Sequence, residues 1–195
     1  SPVLVAGSIG PTGSMMAPLG DLTFEAAVAL FSEQARALAE GGVDVLWVET
    51  MSDLEEVRAA VQACHEAAPD LPVVATMTFD THGRTMMGVK PEQAVKAITG
   101  LAVLAVGGNC GNGPDEIAGV IEKMHAAAPD AVLVAKANAG IPRLVDDVAV
   151  YDATPAHMAE YALQVRGLGA TLIGGCCGST PDHIRAMAQA LHPQH

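Results

Sequence analysis

Short runs of β-branched and other apolar residues recur along the chain, and each is followed by a turn that contains Gly, Asn or Pro. Most of these turns lead into a longer, alanine-rich segment whose apolar residues have helical spacing. Six such pairs begin 28 to 42 residues apart, and the pattern predicts six βα units. The predicted strands are 3–6, 45–48, 73–77, 103–106, 132–135 and 171–173.

The first predicted helix carries apolar residues from Phe24 to Leu38 and ends at Gly41-Gly42, as a glycine C-cap would end it. The other predicted helices are 54–67, 91–99, 115–127, 155–167 and 181–191. Three of these five have Pro in the first turn, where it is favoured.

The architecture follows from the strands, which are almost continuously apolar and therefore typical of a parallel sheet buried on both faces. Two α/β architectures fit: an open doubly wound sheet, and a (β/α)8 barrel of which this chain would supply six units. No linker interrupts the pattern, so we expect one domain over residues 1–195.

Composition and charge narrow the class of protein. The 195 residues are 50% hydrophobic with a net charge of -12, a mean hydropathy of +0.32 and a pI near 4.8. No apolar stretch reaches the roughly 18 to 20 residues that span a bilayer, and the scattered basic residues argue against nucleic acid. Four cysteines without a signal-like start favour a reducing, cytoplasmic setting.

Three of the four cysteines lie in glycine-rich turns that directly follow predicted strands. Cys110 lies in the turn 107–114 after the fourth strand, and Cys176 and Cys177 lie in the turn 174–181 after the sixth. Structural cysteines are more often small core residues inside helices or strands, so these three are candidate metal ligands. Their loops must meet at one ion, which favours a barrel because a barrel directs all its strand-end loops to one centre.

Three thiolates with no His in the same turns form a soft donor set that favours Zn(II) over Cu(I) or an iron–sulfur cluster. A [4Fe–4S] cluster usually needs a fourth cysteine, and Cys64 lies within a predicted helix, where we expect it to pack in the core. Three protein ligands leave one position open, as in catalytic zinc sites. The alternatives are a disulfide between Cys110 and one of the pair, or three buried thiols.

Gly-Asn-Cys-Gly at 108–111 and Gly-Gly-Cys-Cys-Gly-Ser-Thr-Pro-Asp-His-Ile at 174–184 resemble the zinc signature of the homocysteine S-methyltransferase family. The segments 6–13, 48–50, 79–80 with 83–85, and 137–140 resemble that family too, in its order. The loops are most similar to those of bacterial betaine–homocysteine S-methyltransferases.

The resemblance implies a (β/α)8 barrel in which Cys110, Cys176 and Cys177 hold Zn(II) and the homocysteine thiol takes the fourth position. A methyl group, with betaine as the expected donor, would pass to the zinc-bound thiolate to give methionine. Coordination suits this role, because a free thiol with a pKa near 8.5 is mostly protonated at pH 7.

The resemblance also implies that the family's first two βα units are absent, so that Val3 would begin the third strand. We therefore expect a piece of a longer protein. The alternatives are a neighbouring chain, as in a homo-oligomer, that fills the gap, or a shortened chain.

Glu49 is an acid at the end of an otherwise apolar predicted strand. Burying an unpaired carboxylate is costly, so we expect a cationic partner. In the family the matching acid binds the amino group of homocysteine, and the resemblance carries this role to Glu49. The alternative is a carboxylate that caps the next helix through Thr50 or Ser52.

Further side chains are expected at the substrate. Asn109 and Asn138 are predicted to orient the substrate or the cysteine loops, or else to be left-handed turn formers. Thr50 and Thr78 are further expected substrate contacts. Thr76 and Thr78 alternate with Met77 at the end of the third predicted strand, and one of these two alternating sets is expected to face the barrel mouth. Four histidines at helical positions are expected to be solvated: His65, His125, His157 and His183.

The methyl donor and the reaction class have alternatives. A betaine cation prefers aromatic faces, and the candidates are Trp47, Tyr151 and Tyr161. S-methylmethionine, a folate-derived methyl and a corrinoid-bound methyl stay open, the last if the chain is the homocysteine-binding part of a cobalamin-dependent methionine synthase. The rivals from other classes are a zinc-stabilised scaffold closed by a ligand such as His82, and a thiol redox protein that uses Cys176 and Cys177.

Overall fold

The computed structural model describes residues 3–146 and 148–193, and it contains the six predicted βα units. In chain order the elements are β1 (Ala6–Ile9), α1 (Phe24–Glu40), β2 (Val45–Met51), α2 (Leu54–Ala67), β3 (Val73–Met77), α3 (Pro91–Thr99), β4 (Ala105–Cys110), α4 (Pro114–Ala127), β5 (Leu133–Ala137), β6 (Arg143–Val145), β7 (Val148–Val150), α5 (Pro155–Gly167), β8 (Ala170–Gly175) and α6 (Pro181–Leu191).

The main sheet is parallel and has the strand order β1-β2-β3-β4-β5-β8. Each strand therefore lies beside the strand of the next βα unit, and the order never reverses. A doubly wound sheet requires a reversal at its switch point, so that alternative is wrong. Sequential neighbours are the arrangement of the predicted (β/α)8-barrel class, with six units present in this chain.

The two faces of the sheet differ in composition. Alternate residues of the strands point to the helices, and Leu46, Val48, Ala75, Met77 and Ala135 on this face are all fully buried. They form one continuous core with the apolar faces of the helices. This core holds the strand ends, and thus the loops that follow them, in fixed relative positions.

The opposite, inner face has a small apolar cluster of Val74, Ala105 and Val134, with Val45 and Trp47 packed against it. By the same alternation, the inner positions nearer the carboxyl ends of the strands are polar. They are occupied by Ser8, Glu49, Thr76, Asn109 and Lys136. The inner face therefore changes from apolar to polar toward the end where the cysteines lie.

The helices agree closely with the prediction. Four have the predicted bounds, and α1 ends with Gly41 as C-cap and Gly42 at a φ of 83°, the left-handed conformation that glycine favours. The fourth helix begins one residue earlier than predicted, so four helices rather than three begin with Pro. In the described part of the chain no helix is both long and apolar enough to cross a membrane.

The strand bounds differ more from the prediction. The first strand was expected at 3–6, but β1 starts at Ala6 because its pairing partner β2 starts at Val45. The fourth was expected at 103–106, but β4 continues through both glycines to Cys110, because β5 supplies partners for its backbone. The prediction that the strands are buried on both faces is also wrong for the edge strand β8, where Thr171 and Leu172 are exposed.

The antiparallel hairpin of β6 and β7 was not predicted. It lies in the loop after β5, and its strands have only three residues each, too few for a clear alternation. Its residues are exposed, including Leu144 and Val148. The hairpin leads the chain back toward α5 through Tyr151, beside the Cys177 loop.

Candidate metal centre

Cys110, Cys176 and Cys177 come together at the carboxyl ends of β4 and β8. Their Sγ atoms all lie within 4.8 Å of one another, with 3.0 Å between Cys110 and Cys176 and 3.8 Å between Cys110 and Cys177. A disulfide bond is about 2.05 Å long, and all three cysteines are free. The disulfide alternative is therefore wrong, and so is the alternative of three buried thiols, because Cys177 is exposed.

The local backbone explains how adjacent cysteines point to one place. Cys110 ends β4 in a left-handed conformation with a φ of 59°, and Gly111 follows at 68°. In the other loop, a Cβ on Gly175 would lie 2.2 Å from Ser179 Oγ, and one on Gly178 would lie 2.2 Å from Tyr151 Cγ. The close approaches in the second loop therefore require glycine on both sides of the cysteine pair.

The donor set fits a metal ion. Thiolates are soft ligands that suit zinc, and Zn–S bonds of 2.3 Å in a tetrahedral site place two sulfurs about 3.8 Å apart. The distance between Cys110 and Cys177 has this value, and the distance between Cys110 and Cys176 is 0.8 Å shorter. No His, Asp or Glu of the described ranges joins the three sulfurs within 4.8 Å, and His82 lies in an exposed loop. The cluster can hold a metal ion with a position left open.

The thiols of Cys110 and Cys176 differ in the direction of their pKa shifts. The hydrogen bond from Cys110 is the main cause that lowers the pKa of Cys176 to about 5, with further contributions from the charge of Lys136 and from Asn109, against the opposing effect of burial. The same hydrogen bond and burial raise the pKa of Cys110. Without a metal, the hydrogen bond between the two sulfurs therefore favours deprotonation of Cys176 over deprotonation of Cys110.

Asn138 joins the two cysteine loops. Its Nδ2 donates to the carbonyl oxygen of Gly111 at 2.9 Å, and its Oδ1 accepts from the backbone N–H of Cys177 at 3.0 Å. The side chain is 5% exposed, so water does not compete strongly for these bonds. The left-handed alternative is wrong, because Asn138 does not have a positive φ.

Asn109 occupies a similar position deeper in the site. Its Oδ1 accepts from the backbone N–H of Thr50 at 2.8 Å and from Thr76 Oγ1 at 2.7 Å. Its Nδ2 donates to Thr50 Oγ1 at 2.8 Å and lies 3.9 Å from Cys176 Sγ. Asn109 is fully buried and does not have a positive φ. It therefore links the ends of β2 and β3 to a cysteine sulfur.

Glu49 has a cationic partner, as expected. Lys136 Nζ forms an ion pair with Glu49 Oε2, and Ser8 Oγ donates to Oε1 at 2.6 Å. The capping alternative is wrong, because Asp53 caps α2 and accepts from the N–H of Glu55 at 2.8 Å. Lys136 was not among the predicted site residues, although a lysine directly after the apolar run 132–135 carries a signal similar to that of Glu49.

The other predicted side chains are placed less centrally. Thr78 is partly buried, and its backbone N–H donates to the carbonyl oxygen of Met51 at 2.9 Å. The expectation of solvated histidines is wrong for His183, which is 8% exposed and lies 2.8 Å from the carbonyl oxygen of Ala153. His65 Nε2 lies 3.1 Å from the carbonyl oxygen of Leu101 and His125 Nδ1 is buried, but both residues remain partly exposed. Cys64 is fully buried, as predicted.

Comparison with known proteins connects this site to a family. The sequence model of the homocysteine S-methyltransferase family matches residues 1–191. The methionine synthases of Mycobacterium leprae and Mycobacterium tuberculosis are each 36% identical to this chain over 194 residues. These matches cover 96% of this chain but only 16% of each methionine synthase.

Solved structures of the homocysteine methyltransferase MmuM from Escherichia coli have the same fold. Its apo form superposes with a TM-score of 0.77 at 27% identity over 96% of this chain and 62% of that chain. Its metallated form superposes with a TM-score of 0.76 at 27% identity over 95% of this chain and 60% of that chain. These findings confirm both the predicted family and the barrel class, and the chain belongs to the homocysteine S-methyltransferase family.

Proposed function

We propose that this protein transfers a methyl group to the thiol of homocysteine and gives methionine, with Zn(II) held by Cys110, Cys176 and Cys177. The observation that carries the proposal is the convergence of three free cysteine sulfurs within 4.8 Å at the ends of two strands. When bound, zinc would supply a Lewis acid that keeps the substrate sulfur deprotonated at neutral pH.

The chain's own residues hold and orient the reactants. Three cysteinates around a divalent ion carry a formal charge of -1, so the substrate thiolate stays electron-rich and nucleophilic. Asn138 and Asn109 fix the cysteine loops through buried amide hydrogen bonds. Glu49, at the end of β2, binds the ammonium group of homocysteine, and Thr50, Thr78, Asn109 and Asn138 line the substrate site.

The reaction is a displacement at carbon. The sulfur of homocysteine forms a bond to the methyl carbon, and the bond from that carbon to the donor breaks. With betaine, the electron pair of the broken C–N bond stays on nitrogen, so dimethylglycine leaves as a neutral amine with its carboxylate. No proton is needed at the transition state, and the chain's task is to exclude water and align the two molecules.

Betaine is the donor that the position of Tyr151 favours. A quaternary ammonium group binds best against aromatic faces, and the ring of Tyr151 lies against Gly178 in the loop of the cysteine pair. Of the other two aromatic candidates, Tyr161 is 2% exposed and is buried in the core, so it does not reach a donor. The face of Trp47 is already occupied by Lys136 Nζ, 5.3 Å from the ring centroid.

A second candidate is the homocysteine-binding part of a cobalamin-dependent methionine synthase. The 36% identity to two mycobacterial methionine synthases, over 16% of their length, favours it. The homocysteine side of the reaction is the same in both candidates, and only the donor differs. The free thiols also support a reducing, cytoplasmic location as part of the proposal.

The first experiment is metal analysis with zinc-edge X-ray absorption, without and with homocysteine. We expect one zinc with three sulfur ligands, and a fourth sulfur after homocysteine is added. A site that already has four protein ligands and does not change would support the rival zinc scaffold and contradict the proposal.

A product assay then separates the donors. Methionine formed from betaine and homocysteine supports the first candidate, whereas methionine formed only from methylcobalamin supports the second. Replacement of Cys64 by Ala serves as the control cysteine variant, since Cys64 is buried away from the cluster.

A further inference from the structure

The ion pair of Glu49 and Lys136 is the one ionic contact that the described part of the chain makes on the inner face of the sheet. Glu49 lies near the end of β2 and Lys136 lies on β5, with two strands, β3 and β4, between them in the sheet. Their side chains are 18% and 23% exposed, so both charges are partly desolvated yet still reached from the mouth. The pair has no net charge and lies among the polar inner positions near the carboxyl ends of the strands.

Both charged groups keep unused bonding capacity. A carboxylate offers about four lone-pair positions and an ammonium group offers three N–H donors. Glu49 accepts from Ser8 and Lys136. Among the residues described, the hydrogen bonds of Lys136 Nζ are limited to the one with Glu49. One acceptor group and one donor group therefore remain available side by side.

The pair is connected to Cys176 from both sides. Thr50, which follows Glu49, donates to Asn109 Oδ1, and Asn109 Nδ2 lies 3.9 Å from Cys176 Sγ. Ala137, which follows Lys136, accepts from the backbone N–H of Cys176 at 2.7 Å. The ion pair and the cysteine cluster are thus held at the same end of the sheet by shared hydrogen bonds.

Stability alone does not account for this pair. Partly exposed ion pairs contribute little to folding, and a well-packed apolar pair in the same place is often neutral or better. The surrounding strand residues Val134 and Leu172 line the same small cavity as Lys136 and would accommodate an apolar side chain. A lysine at this position therefore points to a ligand with a negative group.

We propose that Lys136 binds the α-carboxylate of homocysteine while Glu49 binds its ammonium group, so that the ion pair recognises the zwitterion of an amino acid. This inference rests on the proposed function, because homocysteine is the ligand that brings both charges and a thiol. The zwitterion adds no net charge to a neutral pair, and each of its groups meets an opposite charge. Lys136 would then be a specificity-determining residue that distinguishes an amino-acid thiol from a simple amine thiol.

Three thiols that differ in one group test this division of roles. Homocysteine has both charges, 3-aminopropane-1-thiol lacks the carboxylate, and 4-mercaptobutyrate lacks the ammonium group. Binding of each to the zinc-loaded protein is measured by calorimetry, for the natural chain and for Lys136→Met, Lys136→Arg and Glu49→Gln. Lys96→Met, on the exposed face of α3, is the matched control.

We expect Lys136→Met to lose about 10- to 100-fold in affinity for homocysteine and for 4-mercaptobutyrate, as loss of a charged hydrogen bond implies. Affinity for 3-aminopropane-1-thiol should change less than about 2-fold, because that ligand never meets Lys136. Glu49→Gln should lose affinity for homocysteine and for 3-aminopropane-1-thiol, while its affinity for 4-mercaptobutyrate should change little. Lys136→Arg should retain the preference for thiols with a carboxylate. Lys96→Met should bind all three thiols as the natural chain does.

Several results would overturn the inference. An equal loss for all three thiols in Lys136→Met would show that Lys136 acts through the charge of Cys176, or on the fold, rather than on the carboxylate. If the natural chain bound homocysteine and 3-aminopropane-1-thiol equally, no carboxylate site would exist, whatever the stability of the variants. Failure of the natural chain to bind any of the thiols would overturn the proposed function and this inference together.

Discussion

The side-chain oxygen of Asn138 accepts a hydrogen bond from the backbone N–H of Cys177 at 3.0 Å, from a buried position on the strand end between the two cysteine loops. Because its amide nitrogen is bonded to the other loop, one side chain sets the separation of the sulfurs. The geometry of the cysteine cluster therefore depends on a residue that is not one of the three cysteines.

Replacing Asn138 with Ala should lower zinc affinity about 10- to 100-fold, in the range found when residues that orient metal ligands are removed. Competition with a chromogenic chelator measures this. Asn112→Ala is the control, because Asn112 is an exposed asparagine of the Cys110 loop that bonds to Asp80 and Glu116 instead. Equal losses in the two variants would contradict a bridging role for Asn138.

Replacing Cys110 with Ala should remove zinc and activity together with little change in the fold, because two thiolates no longer form a three-ligand site. Metal analysis of the purified variant and its circular dichroism spectrum check the two halves of this prediction. Cys64→Ala should keep one zinc and lose some stability, since it empties space in the core. Full zinc occupancy in Cys110→Ala would exclude the assigned site.

In the metal-free protein, Cys176 should react with iodoacetamide at a nearly constant rate between pH 6 and pH 8. Its pKa is lowered to about 5 by the hydrogen bond from Cys110, so it is a thiolate throughout this range and is protonated only as the pH falls through 5. Cys64, whose pKa burial raises to about 12, should not react.

Peptide mapping by mass spectrometry identifies which thiol is alkylated first. Added zinc should protect Cys176, because the metal and the alkylating agent compete for the same lone pair. A rate at Cys176 that rises about tenfold for each pH unit between 6 and 8 would show an ordinary thiol and contradict the lowered pKa.

Two glycine-to-alanine changes should have opposite effects on stability. A Cβ on Gly107 in β4 would lie 1.9 Å from the carbonyl oxygen of Val134, so Gly107→Ala should destabilise the fold by about 3 kcal/mol. Gly119 lies inside α4 with nothing within 4 Å of its Cβ position, so Gly119→Ala should stabilise it by about 0.5 to 1 kcal/mol. Urea unfolding of both variants, compared with the natural chain, tests the signs.

The helices could be predicted well because their signals are local. Proline in the first turn, glycine after the last turn and apolar periodicity all act within one element, and the bounds of α2, α3, α5 and α6 follow from them. The ends of the strands could not be predicted in this way. Whether Gly107 and Gly108 form a turn or continue a strand depends on a partner, β5, that lies elsewhere in the chain.

The residues of the candidate site also differ in whether their signal is local or depends on a distant partner. The cysteines could be identified from their turns and from the family resemblance, and Glu49 from its conflict with an apolar strand. Lys136 and Ser8 were missed as partners of Glu49, because only the folded sheet brings residues 87 and 41 positions away to one carboxylate. Asn138 was predicted to orient the substrate or the cysteine loops, but its two bonding partners, 27 and 39 positions away, could not be identified before folding.

The three cysteines and Asn138 all lie between Cys110 and Cys177, whereas Glu49 and Ser8 lie in the first two strands. Substitutions at Ser8 and Glu49 can therefore change which molecule is recognised without altering the residues that hold the three sulfurs together. Thr50 is the exception in β2, because its backbone N–H and its hydroxyl both bond to Asn109 beside Cys176. A library for new thiol acceptors should therefore vary Ser8 and Glu49 and keep Thr50 fixed.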